Sequence, residues 1–156
     1  SGGLVGRHVG DGVVAFFPAV AFFSESAAAG ACIRAAREIQ SAMRDVAERS
    51  ELEPSDVVMR FGLHWGATPY IGAITTGART EVTALGDEIN EAARIEACAT
   101  GGRVLASKQL VERLDRADAA AVGVDTARLA YTQLGDLDTA TDKARRDAPS
   151  TAICDL

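Results

Sequence analysis

The most constraining feature of the sequence is the run from Ser24 to about Arg49. Ala28, Cys32, Ala36, Ile39, Met43 and Val46 recur there at steps of three and four, while Arg34, Arg37, Glu38, Arg44, Asp45 and Glu48 hold much of the other face. That spacing predicts a long amphipathic core helix capped by Ser24. Cys32 and Met43 fall on its apolar stripe and read as packing residues. Before it, Leu4 to Phe17 reads as two short strands around Gly10-Asp11-Gly12, because Val13, Val14, Phe16 and Phe17 are β-branched or aromatic and Asp-Gly favours a two-residue hairpin turn. Pro18 to Phe23 connects the two, and Phe22-Phe23 implies packing or a partner contact. After the helix, Pro54 marks a break, and Val57, Met59, Phe61, Leu63 and Trp65 alternate with Val58, Arg60, Gly62, His64 and Gly66. This is the period of a central strand with one apolar face.

The remainder alternates strands with short helices. Tyr70 to Thr76 is expected as a strand, Gly77-Ala78-Arg79 as a turn, and Glu81 to Thr83 as the approach to a helix that Asp87 caps and Gly101-Gly102 stop. On that helix Ile89, Ala93 and Ala97 form an apolar row, widened by Ala92 and Ile95. Arg103 to Ala106 reads as a strand, Ser107 as the cap of a helix through Leu114, and Arg116 to Asp125 as loop or weak helix. A strand near Arg128 to Leu134 is expected next, then a polar, mobile stretch from Thr139 to Pro149. Ser150 to Leu156 would add a last edge strand.

Asn90 and Arg94 stand four residues apart, which puts both on one face of the helix about one turn from each other. In isolation such a pair is more often a solvated helix face than a site, just as Asp11 alone is more often a turn former.

The 156 residues fit one domain spanning 1–156, enough to bury a real core, with ~70% of the unfolded surface lost on folding. A net charge of −6 with scattered arginines argues against a general nucleic-acid surface. Three dispersed cysteines, Cys32, Cys98 and Cys154, suggest neither a disulfide framework nor a CxxC metal site, so a reducing cytoplasmic location is expected. Apolar runs stop well short of the ~20 residues of a membrane span, and Ser1-Gly2-Gly3 carries no signal-peptide pattern. His8 and His64 have no second ligand at metal spacing and read as structural or surface residues.

Three segments in order, Gly10-Asp11-Gly12, Arg60-Phe61-Gly62-Leu63-His64-Trp65-Gly66 and Leu85-Gly86-Asp87-Glu88-Ile89-Asn90-Glu91-Ala92-Ala93-Arg94, resemble the catalytic domain of the class III adenylate and guanylate cyclases. The resemblance runs from about Val5 to the end of the chain. Its most specific part is the Gly-Asp-x-x-Asn-x-Ala-x-Arg segment.

The resemblance implies an α+β fold, a ferredoxin-like, mainly antiparallel sheet covered by helices. It implies conversion of ATP to cyclic AMP and pyrophosphate, with guanylate cyclase or an inactive dimerisation module as alternatives. Arg94 would match the transition-state arginine and Asn90 the residue that orients the ribose. Asp11 would be a ligand of Mg²⁺ or Mn²⁺. Arg7 stands where adenylate cyclases usually read adenine with a lysine, Thr83 where many carry Asp, and Lys143 or Arg145 where a lysine contacts phosphate. In the family a strand bearing a first metal-binding Asp precedes this point, so the domain is expected to be N-terminally incomplete. A homodimer with shared sites, Asp11 facing Asn90 and Arg94 of the partner, is expected as well.

Overall fold

The computed structural model describes residues 2–9, 12–53, 55, 57–67, 70–76 and 79–156. Its elements in chain order are β1 (Leu4–Val9), β2 (Gly12–Phe16), α1 (Glu25–Arg49), β3 (Phe61–Leu63), β4 (Tyr70–Thr76), β5 (Arg79–Leu85), α2 (Asp87–Cys98), β6 (Val104–Ser107), α3 (Lys108–Val111), α4 (Arg116–Ala121), β7 (Thr132–Gln133), α5 (Asp142–Asp147) and β8 (Ala152–Asp155). Of the five strand pairings described, β1–β2, β4–β5, β6–β8 and β7–β8 are antiparallel, and β3–β6 is parallel. The expected α+β, mainly antiparallel architecture is the one observed.

A four-stranded sheet in the order β3-β6-β8-β7 organises the core. All four residues of β6 are buried, as a strand covered on both faces must be. Val104 and Ala106 turn to one face, with Cys154 and Leu63, against Ile33 and Ala36 of α1 and Leu110 of α3. Leu105 and Ile153 turn to the other, against Ile95 and Cys98 of α2 and Ala144 of α5. The two long helices therefore cover opposite faces of one sheet. The hairpins β1–β2 and β4–β5 form separate ladders, with β1 lying against β5.

The Ser24 hydroxyl accepts a hydrogen bond from Ala27 N at 3.0 Å and starts α1 where expected. The stripe needs correction. Ala28 and Ala36 are buried, and so is Ile33, but Ile39 and Val46 are 39% and 38% exposed. Three-residue β3 is too short to cover the second half of this 25-residue helix. Phe22 packs its ring 6.4 Å from that of Phe17, while Phe23 and Val20 are fully exposed.

Several other expectations change. β3 is three residues long and lies at the edge of its sheet, because its described pairing is with β6 alone. β8 is not an edge strand but sits between β6 and β7. The strand expected over 128–134 shrinks to β7, and its end becomes a 3₁₀ turn at Leu134–Asp136. Ser107 does cap α3, accepting from Leu110 N at 3.3 Å, but that helix ends at Val111. The stretch read as polar and mobile contains α5, capped by the Thr141 hydroxyl, with Ala144 buried beneath it. The expected turn at 77–79 lies largely outside the described residues.

Candidate active site

The site begins with the placement of α2. Gly86 precedes it at φ 152°, a backbone that side chains resist, and delivers the chain from β5 straight into the helix. Asp87 is therefore the first helical residue and not the cap; with Glu88 it puts two carboxylates at the positive end of the helix dipole. The helix ends at Cys98, one turn before the left-handed Gly101 and Gly102 at φ 70° and 80°.

Gly62 sets how closely α2 approaches the sheet. A Cβ there would lie 2.6 Å from the Ala92 carbonyl oxygen and 2.7 Å from Glu96 Cα, so the helix backbone rests directly on β3. Gly66 leaves room for the Glu88 side chain in the same way. The buried side of α2 is centred on Ile95 and Cys98; Ala93, expected on an apolar row, is exposed. Asn90 is exposed and makes no hydrogen bond among the described residues, while Arg94 is half-buried on the flank.

Glu91 turns toward the core side and has partners there. One of its carboxylate oxygens accepts from the Thr151 hydroxyl, and the other lies 3.5 Å from His64 Nε2. This ties α2 to the end of β3 and to the residue before β8. His64 has a side chain only 4% exposed, in keeping with the structural role read for it, and its Nδ1 finds no partner among the described residues. Burial holds the imidazole pKa below its ordinary value, against the opposing pull of Glu91 and Glu88.

The unfolded chain takes up the His64 proton near pH ~6.5 while the folded chain still resists it, so stability falls as pH drops below that value. The urea midpoint is expected to decline between about pH 7.5 and about pH 5.5, with His64→Gln declining less steeply. Equal slopes would remove His64 as the cause.

Arg94 reaches across to α5. Its Nε donates to Asp147 Oδ2 at 3.1 Å, and one terminal nitrogen lies 3.1 Å from the same oxygen. Asp147 is also gripped by its neighbour Arg146, Nε to Oδ1 at 2.7 Å. The Arg146 hydrogen bond first, and the Arg94 one after it, hold the Asp147 carboxyl below the ordinary range, against some desolvation. Lys143 is exposed on α5, one turn before Asp147, and has no ion pair among the described residues. The fold thus brings α5, with Lys143, beside the helix that carries Asn90 and Arg94.

Arg7 lies on β1, and Thr83 lies on β5 opposite Gly72. Their side chains, and Asp11 as a whole, lie outside the described residues. Among the described residues no group of three or more His, Cys, Asp or Glu could hold a metal ion. Burial pushes the Cys32 thiol up to about 12 and the Cys154 thiol up to about 11, which leaves neither as a thiolate nucleophile at neutral pH. No described helix is long and apolar enough to cross a membrane. The sequence reading missed Asp147, Glu91 and Thr151 as partners. Thr141 as a cap and Pro149 as a stop were the signals for α5.

A helix presenting Asn and Arg one turn apart, beside a cationic second helix, suits a phosphate-bearing ligand. The sequence model of the adenylate and guanylate cyclase catalytic domain matches residues 8–137, and the chain belongs to that family. No curated protein matches the sequence. The crystal structure of the guanylyl cyclase Cya2 is similar with a TM-score of 0.69 at 25% identity, covering 99% of this chain and 69% of that one. That of the adenylyl cyclase CyaB from P. aeruginosa gives 0.66 at 18% identity, covering 99% and 72%, and speaks to the fold alone.

Proposed function

We propose that this nucleotidyl cyclase domain converts ATP to cyclic AMP and pyrophosphate in intracellular signalling, as a homodimer with shared sites. The observation that carries the reading is the shared face of α2, where exposed Asn90 and half-buried Arg94 lie one turn apart. In the reaction the ribose 3′-oxygen bonds to the α-phosphorus, the bond from that phosphorus to the bridging oxygen of the β-phosphate breaks, and the 3′-hydroxyl proton leaves to solvent. Such phosphoryl transfer depends mainly on positioning and charge stabilisation.

Arg94 is assigned to the charge that develops on the phosphate oxygens, because a planar, permanently charged fork can follow it through two donors. Asn90 is assigned to the ribose, where an uncharged amide can bind a hydroxyl or ring oxygen. Lys143 is assigned to the outer phosphates, supported by its place on α5 and by an ammonium with no ion pair among the described residues. Arg7 and Thr83 are assigned to the base on neighbouring strands β1 and β5. Mg²⁺ or Mn²⁺ would supply charge neutralisation when bound, with Asp11 as its ligand.

The exposed apolar residues Val5, Val13, Val20 and Phe23 around the first hairpin support a dimer surface. They serve equally a second reading, a dimerisation module without turnover.

The base is tested by competition. With equal ATP, GTP and Mn²⁺, cyclic AMP is expected to exceed cyclic GMP by about tenfold, the discrimination that one or two hydrogen bonds to the base supply. Cyclic GMP in excess would make the domain a guanylate cyclase and reassign Arg7.

A further inference from the structure

We propose that Asp147 is a positioning residue for Arg94, fixing the plane of its guanidinium so that the opposite edge is presented to substrate phosphate. The inference rests on the role assigned to Arg94 above. Its basis is a side-on grip: Arg94 Nε and one terminal nitrogen both converge at 3.1 Å on a single oxygen, Asp147 Oδ2. A guanidinium carries five donor hydrogens. Asp147 lies along one edge, accepting a hydrogen bond from Nε with the adjacent terminal nitrogen at ion-pair distance, and the hydrogens of the far edge have no hydrogen-bond partner among the described residues.

The carboxylate is itself fixed. Arg146 donates to it through Nε at 2.7 Å and through a terminal nitrogen at 3.2 Å. α5 is locked to the protein by fully buried Ala144, by the Thr141 cap, and by the Thr139 hydroxyl donating to Cys98 O at 2.7 Å. Asp147 is therefore held on a docked helix and not on a loose tail.

Charge supports the same role. Asp147 between Arg94 and Arg146 leaves that cluster with one net positive charge, and Lys143 one turn away adds another. The carboxylate orients Arg94 without cancelling the attraction for an anion. The pair is also partly open to water, with side chains 22% and 34% exposed, and ion pairs of that kind add little to stability. Substitution at Asp147 should thus leave the fold intact and change what Arg94 does.

The test compares the full chain with Asp147→Ala and Asp147→Asn, using ATP and Mn²⁺. Asp147→Ala is expected to lower kcat by about tenfold with little change in KM, since a misplaced catalytic group costs rate more than ground-state binding. Asp147→Asn keeps an acceptor oxygen and should recover most of that loss, with the melting temperature of both variants unchanged. An unchanged or raised kcat in Asp147→Ala would overturn the proposal and make the contact incidental or inhibitory. A second readout needs no turnover. In the ¹⁵N spectrum, the Arg94 Nε–Hε signal, identified by its loss in Arg94→Lys, should exchange slowly with water and broaden in Asp147→Ala. If wild type forms no product the cyclase reading fails, and this signal still decides: the same signal in both proteins overturns the positioning role.

Discussion

Replacing Gly62 by alanine is expected to lower the melting temperature by roughly 5–10 °C. The added carbon would stand 2.6 Å from the Ala92 carbonyl oxygen and 2.7 Å from Glu96 Cα. Both are backbone atoms of α2, so no side chain can swing aside. Either the helix lifts from β3 or the strand shifts away from β6. Lifting α2 would open the packing of Ile95 and Cys98 on Leu105 and Ile153. Overpacking of this kind costs about 1–3 kcal/mol. Gly66→Ala is the control. The three atoms nearest its added carbon all belong to the half-buried Glu88 side chain; the Cβ, at 2.5 Å, is fixed by the α2 backbone but the outer two can turn away, so one fixed contact stands against three at Gly62 and the smaller loss is expected there. A thermal melt of the two variants checks the order, and equal losses would place the tight contact elsewhere.

Arg94→Ala is expected to reduce kcat by about 10²–10³, the usual cost of removing one fixed donor from a developing negative charge. The substitution leaves the core alone, because Arg94 lies on the flank of α2 and the buried side is built from Ile95 and Cys98. Arg94→Lys should recover little. A lysine brings a point charge but no planar fork, and it cannot accept the side-on grip of Asp147 while offering a second edge to phosphate. Asn90→Ala should fall in the same direction, with a folded protein, since Asn90 has no partner to lose among the described residues. A large fall in melting temperature for either variant would mean that the rate loss reports folding instead.

The sequence disclosed what is local. The start of α1 was legible in Ser24 and its extent in the periodicity; the bounds of β4 were legible in the run from Tyr70 to Thr76. The shared face of Asn90 and Arg94 was legible too, because helical geometry fixes it once Gly86 and Gly101 bracket the segment. Long-range pairing was not legible. β8 reads as a polar-flanked terminal strand and an edge, yet its place between β6 and β7 depends on partners far away in the chain. The apolar side of α2 was assigned to Ile89, Ala93 and Ala97, widened by Ala92 and Ile95; docking on Gly62 does turn Ile95 inward, but it centres the buried side on Ile95 and Cys98 and exposes Ala93. Site partners follow the same rule. Asp147 is 53 residues from Arg94, and Thr151 is 60 from Glu91, so no periodicity could join them. Asp147 had in addition been hidden by composition, since Asp142 to Asp147 is almost wholly charged and resembles a solvated tail until Ala144 is seen buried.

The decisive measurement is cyclic nucleotide formation by the wild-type chain and by Arg94→Ala, with ATP and GTP in turn, Mn²⁺, and protein concentrated enough to dimerise. Product from wild type that falls at least about a hundredfold in the variant is the predicted result, and it would place catalysis on α2. Equal product from both proteins would contradict that placement, and no product from either would leave the second reading, a dimerisation module, in its place.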